Sequence, residues 1–267
     1  QSNDVEITQN LLATNDCDEQ GDSDNTAECS IFTQNEIESI TQTNFASNVA
    51  DDFVQNNLIG IINQDLQTTN DCDDTDADIV NDGVNNAECR NNVANGIGPL
   101  KQVNDAFGTD DADVSQNNEI ARIDQVAVAD NDCDQTDAGD NQADCGNDAE
   151  NVIDTVTQDN KVSNADLFTD VIQDNGAEFS QTVDLSNNCD QTTFGASGEN
   201  NQAECFNSAD NFVGPVDQDN FANAFDDSSI DQANNVDVTQ NLVADNTCDG
   251  TGTDTVDCFN TGPNGAD

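Results

Sequence analysis

Ten cysteines fall into five pairs, and thiol chemistry is the first chemistry that this sequence offers. The pairs are Cys17 and Cys29, Cys72 and Cys89, Cys133 and Cys145, Cys189 and Cys205, and Cys248 and Cys258. The two members of a pair lie 12, 17, 12, 16 and 10 residues apart. A four-cysteine metal site needs closer pairs such as C-x2-C. The even number of cysteines is typical of disulfides in an oxidising compartment.

Acidic residues flank every cysteine pair and are the second group that could do chemistry. An Asp follows each first cysteine and an acid precedes each second one. These residues are Asp18 and Glu28, Asp73 and Glu88, Asp134 and Asp144, Asp190 and Glu204, and Asp249 and Asp257. Carboxylates gathered at a loop neck predict divalent-cation binding, with Ca²⁺ as the candidate ion. The alternative is a solvated acidic surface adapted to high salt or to low pH, since no EF-hand spacing is present.

The charge balance excludes several functional classes. The 267 residues contain 4 Lys and Arg, 56 Asp and Glu and no His, which gives a net charge of -52. Such a chain repels phosphate, so we expect neither nucleic acid nor an anionic membrane as a partner. It lacks the usual neutral-pH base and the cationic clamp of an oxyanion site. Because the acids are spread evenly over the repeats, we also expect no enzymatic function.

A short motif, apolar-x-Gln-x-(Asn or apolar), recurs around the cysteine pairs in three types. Type A precedes each pair and has Gln9, Gln64, Gln125, Gln181 and Gln240. Type B follows the pair and has Gln42, Gln102, Gln158 and Gln218. Type C comes next and has Gln55, Gln116, Gln173 and Gln232. The chain therefore reads as one domain, 1–267, of repeats at about 1–57, 58–118, 119–175 and 176–234, with a partial repeat at 235–267.

The spacing between motifs and cysteines predicts the disulfide pairing. Eight residues separate each type A Gln from the first cysteine, and thirteen separate the second cysteine from the type B Gln. Most length variation therefore lies between the two cysteines of a pair. A bond within each pair would close that segment as a loop and leave the register of the scaffold unchanged. We predict five local disulfides, each stabilising the fold by about 3 kcal/mol for a loop of about 15 residues.

The motifs predict an all-β fold. Alternation with period two places the apolar residue, the Gln and the Asn on one face of a strand. A buried carboxamide needs partners, and strands stacked at about 4.8 Å let each Gln bond the Gln above and below. This favours a β-solenoid of stacked coils of ~57 residues, with types A, B and C as sides of one coil. The alternative is a string of small β-sandwich beads. The hydrophobic content of 34% approaches that of disordered chains, but disorder would not preserve the spacings.

The Gln/Asn strand motif resembles curlin-type repeats, the units of secreted curli-like fibres, and is similar to the Gln-Asn-Cys repeat proteins of archaeal and bacterial cell surfaces. Fibre formation is what this resemblance implies. Curlin repeats are shorter and lack cysteines, so the disulfide loops would be an addition to that plan.

We therefore predict a structural subunit of an extracellular filament that self-assembles head-to-tail into cell-surface or biofilm-matrix fibres. The alternative is a monomeric cell-surface adhesin or Ca²⁺-binding β-solenoid protein. The chain starts at Gln1 and contains no Met, so we expect a secreted chain after signal-peptide cleavage. It starts on a type A strand and ends just after one, so we expect an open last coil that receives the first strand of the next subunit. The sequence has no window of about 18 apolar residues, so we expect no membrane span.

Overall fold

A computed structural model describes residues 1–17, 25–49, 51–72, 74–75, 84–109, 112–137, 140–165, 170–193, 202–224, 229–250, 255–262 and 264–266. These residues form strands and their connections, and no helix occurs among them. All strand pairs in this part of the chain are parallel, and they join equivalent strands of successive repeats. Stacked coils of one chain with this pairing form a β-solenoid.

The longest strands form sheet A. They are β1 (Ser2–Asp16), β4 (Phe53–Asp71), β8 (Val114–Asp132), β12 (Val171–Thr193) and β15 (Ile230–Gly250). Their order in the sheet is the same as their order in the chain. Two short strands, β5 (Asp74–Thr75) and β9 (Gln135–Asp137), extend the same sheet beside the cysteines.

Two shorter sheets lie opposite sheet A. Sheet B consists of β2 (Asn25–Ile37), β6 (Val84–Ile97), β10 (Asp140–Ile153), β13 (Gln202–Val213), β16 (Thr255–Thr261) and β17 (Asn264–Ala266). Sheet C consists of β3 (Ile40–Val49), β7 (Leu100–Thr109), β11 (Val156–Ala165) and β14 (Val216–Ala224). Asn44 of sheet C donates to Asn57 in the first half of β4, at 3.1 Å. Asn35 of sheet B donates to the carbonyl oxygen of Asp65 in the second half, at 3.4 Å. Each coil is therefore flat, with one long strand facing two shorter ones.

Two-residue corners separate sheet B from sheet C. Two of them are Gly98-Pro99 and Gly214-Pro215, and proline interrupts strand pairing because it has no N–H. The amide nitrogen of Gly98 lies 2.7 Å from the carbonyl oxygen of Ile37 in the coil below. A Cβ at Gly98 would collide with the carbonyl oxygen of Glu38. Glycine therefore lets successive corners stack in contact.

Aliphatic side chains fill the middle of every coil, and carboxamides lie on either side of them. The central cluster contains Ile37, Ile40, Ile59, Ile62, Ile97, Leu100, Ile120, Ile123, Ile153, Val156, Ala177, Phe179 and Val213. Along β4 every second residue is buried, and the alternation shifts by one residue at Gly60. The burial pattern thus confirms that the motif residues point inward.

The predicted all-β solenoid is confirmed, and the string of separate beads is wrong because each sheet takes strands from successive repeats. The sides of the coil differ from the expectation. Types C and A share one long strand, since β4 contains both Gln55 and Gln64. The remaining side is sheet B, which follows the cysteine loop and contains no Gln motif.

Candidate functional site

The glutamines of types A, B and C form three columns inside the solenoid. In the type A column, Nε2 of Gln64 donates to Oε1 of Gln9 at 2.8 Å. Each later Gln repeats this bond to the coil below, at 2.8–2.9 Å. The type B and type C columns do the same at 2.6–2.8 Å. The structure therefore places the predicted glutamines in continuous ladders along the stacking axis.

Ladder glutamines also join the two layers of a coil. The fully buried Gln125 donates to the carbonyl oxygens of Asn95 at 3.2 Å and Val152 at 3.1 Å, both in sheet B. Its Oε1 accepts from Gln181 at 2.8 Å. Donor and acceptor are thus both satisfied, which removes most of the cost of burying a carboxamide. A slip of one residue would break every such bond, so the ladders fix the register.

An asparagine zigzag connects sheets A and C. Its members, the last residues of the type B and type C motifs, are Asn44, Asn57, Asn104, Asn118, Asn160, Asn175, Asn220 and Asn234. Nδ2 of Asn104 donates to Oδ1 of Asn118 across the coil and to Oδ1 of Asn160 in the next coil, both at 3.0 Å. One carboxamide thereby crosslinks two layers and two levels.

Further asparagine columns lie in the half of the coil nearer the cysteines, and the sequence analysis missed them. One contains the residue six positions after each type A Gln: Asn15, Asn70, Asn131, Asn187 and Asn246. A second column contains the residue two positions after the second cysteine: Asn91, Asn147, Asn207 and Asn260. A third contains the residue six positions after it: Asn35, Asn95, Asn151 and Asn211. Nδ2 of Asn187 donates to Oδ1 of Asn207 at 2.9 Å and of Asn246 at 3.0 Å. Their fixed offset from Gln or Cys was the signal that could have identified them.

The five predicted disulfides are present, with the predicted pairing and Cα–Cα distances of 6.1–6.8 Å. Each joins the end of a long strand to a sheet B strand, as Cys72 after β4 joins Cys89 in β6. The second cysteines stack in register, so the disulfides form a column at one side of the solenoid. In the described residues, the groups close enough to hold a metal ion consist of these cysteines, and every one of them is in a disulfide.

The acids that precede the second cysteines form a column on sheet B. Glu28, Glu88, Asp144, Glu204 and Asp257 are register partners from coil to coil. Aligned like charges repel, and Arg90 offsets part of this by contacting Glu88 and Asp144, each at 2.9 Å.

The acids that follow the first cysteines are only partly described. Asp134 and Asp190 are half-buried, Asp18 and Asp73 lie outside the described residues, and only the backbone of Asp249 is described. No three carboxylates in the described part of the chain bring oxygen atoms within 4.8 Å of one another. The Ca²⁺ sites therefore stay a prediction.

Asp159 on sheet C has a raised pKa. Burial raises the pKa above its ordinary value of 3.8, Lys101 lowers it, and Asp217 and Asp219 raise it. Asp219 is its register partner in the next coil. Proximity of stacked carboxylates thus adds to the effect of burial.

Both ends of the solenoid present strands that pair on one side only within the described chain, β1 at one end and β15 at the other. Ile230 and Val236 of β15 are 47% and 41% exposed, whereas their register partners Val171 and Ala177 are 1% and 5% exposed. Inward residues of β1, such as Gln9, are half-buried. The ends therefore expose ladder and apolar positions that are buried in the inner coils.

In the described residues no helix is long and apolar enough to cross a membrane. Comparison with family models, with curated proteins and with solved structures gives no match to this chain.

Proposed function

We propose that this protein is a structural subunit of an extracellular filament and that it self-assembles head-to-tail into cell-surface or biofilm-matrix fibres. The observation that carries the proposal is the pair of free sheet edges, β1 and β15, at opposite ends of one parallel stack. An exposed edge strand presents backbone N–H and C=O groups that can pair with another strand, and its inward side chains here are carboxamides and apolar groups. The two edges are different surfaces at opposite ends of the subunit, so the contact between β15 of one copy and β1 of the next is heterologous. Repetition of such a contact produces an open filament.

The interior of the solenoid supports this function because its bonds are repeated along one axis. Each added coil extends the Gln and Asn ladders by bonds of the same geometry, as the 2.8 Å bonds from Gln64 to Gln9 and from Gln125 to Gln64 show. A second copy would extend the ladders in the same way. The resemblance to curlin-type repeats points in the same direction.

Surface charge supports separate, soluble fibres. The net charge of -52 lies on a stack whose interior is neutral carboxamide and aliphatic side chain. Like-charged fibres repel at low ionic strength and approach when salt or cations screen them. The five disulfides fit an oxidising extracellular environment, and secretion is part of the proposal.

Electron microscopy of the purified protein tests the proposal. We expect long unbranched filaments from the intact chain and none from a chain that lacks residues 1–11, because that deletion removes most of β1. Circular dichroism must show that the shortened chain keeps its β-structure. Filaments of equal length from the shortened chain would contradict head-to-tail assembly through β1.

The second candidate is a monomeric adhesin or Ca²⁺-binding protein of the same fold. The in-register acidic column favours it, together with Oδ1 of Asp144, which is buried and accepts no hydrogen bond from the residues that the structure describes. Titration calorimetry with CaCl₂ separates the candidates. Saturable heat from a protein that stays monomeric supports a Ca²⁺-binding protein, and its absence at micromolar to millimolar Ca²⁺ removes the predicted Ca²⁺ sites.

A further inference from the structure

The two terminal long strands have the same spacing between their glutamines. Gln1 occupies the type C position of its coil, because Gln55 donates to its Oε1 at 3.3 Å, and Asn3 donates to Asn57 at 2.8 Å. Gln9 of β1 follows Gln1 by eight residues, and Gln240 follows Gln232 by eight residues in β15.

Spacing decides whether two long strands pair without distortion. In β4 the interval from Gln55 to Gln64 is nine residues, and the pairing of β1 with β4 shifts register between Val5 and Ile7. The pairing of β12 with β15 has no shift, because Gln173 and Gln181 are also eight residues apart. Two long strands with the same interval between their glutamines thus pair without a shift, whereas an eight-residue interval opposite a nine-residue interval needs a bulge.

We propose that β15 of one copy pairs in parallel with β1 of the next copy in a single register, with Gln232 opposite Gln1 and Gln240 opposite Gln9. This inference rests on the proposed filament function and specifies its junction. The inward positions then match along both strands. The matched pairs are Gln232 and Gln1, Asn234 and Asn3, Val236 and Val5, Val238 and Ile7, Gln240 and Gln9, Leu242 and Leu11, Ala244 and Ala13, Asn246 and Asn15, and Cys248 and Cys17.

The chemistry of the ladder requires this match. In the inner coils each Gln donates to the Gln of the coil below, as Gln240 does to Gln181 at 2.9 Å. In the proposed register Gln9 of the next copy donates to Gln240 in the same manner. A shift of one residue would turn carboxamides outward, and a shift of two would place Gln9 opposite Val238 or Leu242.

Among the described residues, the outward face contains one pair of like charges in this register. Asp237 lies opposite Glu6 of the next copy, while Asn235 lies opposite Asp4. In the chain itself Asp237 is already the register partner of Glu178. Three carboxylates would therefore follow one another across the junction, so salt should promote assembly.

Paired cysteine substitutions test the register. Thr8→Cys combined with Thr239→Cys places two exposed thiols directly opposite each other across the junction, within the Cα distance that a disulfide accepts. Within one chain these residues lie about four strand spacings, or about 19 Å, apart, so the bond can form only between copies. The matched control, Thr8→Cys with Asn241→Cys, is offset by two residues to about 8 Å, beyond disulfide reach, and leaves Asp237 in place.

After mild oxidation we expect covalent multimers from the first pair and not from the control on a denaturing, non-reducing gel. Multimers from the control alone, or equally from both, would overturn the register. Filaments in electron microscopy without crosslinks in either variant would overturn the register and leave the filament function standing. Absence of both filaments and crosslinks would overturn both.

A charge variant provides an independent measurement that adds no thiol. Glu6→Lys replaces the repulsion with Asp237 by attraction, whereas Asp4→Lys makes the same change in net charge opposite Asn235. We expect the critical concentration for assembly to be about two- to five-fold lower for Glu6→Lys than for Asp4→Lys at low salt. Equal values for the two variants would contradict the register.

Discussion

Replacement of a central ladder glutamine measures how much the carboxamide columns stabilise the fold. Gln125 is 0% exposed, donates to Gln64 at 2.8 Å and accepts from Gln181 at 2.8 Å. Gln125→Leu keeps the approximate size of the side chain and removes both ladder bonds, together with the bonds to the carbonyl oxygens of Asn95 and Val152. It leaves Oε1 of Gln64 buried without a donor, while Nε2 of Gln181 keeps the carbonyl oxygens of Asn151 and Phe212.

The structure sets the magnitude of this loss. An orphaned buried acceptor costs about 1–3 kcal/mol, and the lost ladder bond adds about 1 kcal/mol. We therefore expect Gln125→Leu to lower the free energy of unfolding by about 2–4 kcal/mol. Among the described residues, the side chain of the exposed Gln67 bonds the nearby Asp65 alone, at 3.3 Å, so Gln67→Leu should change stability by less than about 0.5 kcal/mol.

The assay is guanidinium-induced unfolding of both variants with the disulfides intact, monitored by circular dichroism. Gln9→Leu provides a third point, because Gln9 is half-buried at the free end and water can replace its bonds. Its cost should lie between those of the other two variants. If Gln125→Leu is no more destabilising than Gln67→Leu, the ladders do not hold the coils together.

Three other predictions concern the disulfides, surface charge and free end. Cys133→Ser with Cys145→Ser opens a loop of separation 12 and should lower the free energy of unfolding by about 3 kcal/mol in denaturant titration. Burial raises the pKa of Asp159, so the folded state is less stable above that pKa than below it. Asp159→Asn should therefore be more stable than the native chain at neutral pH, and the difference should vanish as the pH falls to the ordinary Asp range near 3.8; a difference that grows on acidification would contradict the sign. Leu11→Asn places a polar group on the inward face of β1 and should shorten filaments in electron microscopy, whereas Leu12→Asn on its outward face should not; equal effects would contradict assembly through the inward face.

Regular spacing made much of this fold predictable. The constant intervals from Gln to Cys indicated the solenoid and the disulfides, because a length change outside the cysteine loop would shift every ladder contact. Period-two alternation correctly placed Gln64 and Gln125 inside.

The path of the chain around a coil was harder to predict. Types C and A were expected on different sides, but the stretch between Asn57 and Ile62 contains no proline and continues as strand. The corners occur instead at Gly98-Pro99 and Gly214-Pro215, between sheets B and C. Sheet B was missed as a separate side because its inward polar residues are Asn and Thr, without the Gln that marked the other strands.

The ends of the stack illustrate a second limit of motif searching. Gln1-x-Asn3 occupies a type C position, and Gln-x-Asn alone is too short a pattern to identify it from the sequence. Only the hydrogen bonds to Gln55 and Asn57 showed that β1 continues the type C ladder.

The most direct test of the account is a cryo-electron microscopy reconstruction of the assembled protein. The described chain contributes five long strands to sheet A, and a spacing of about 4.8 Å per strand predicts a rise of about 24 Å per subunit. We expect sheet A to continue without interruption from β15 of one copy into β1 of the next, at that rise. Isolated rods that never join, or filaments whose subunits meet through their sides, would contradict head-to-tail assembly.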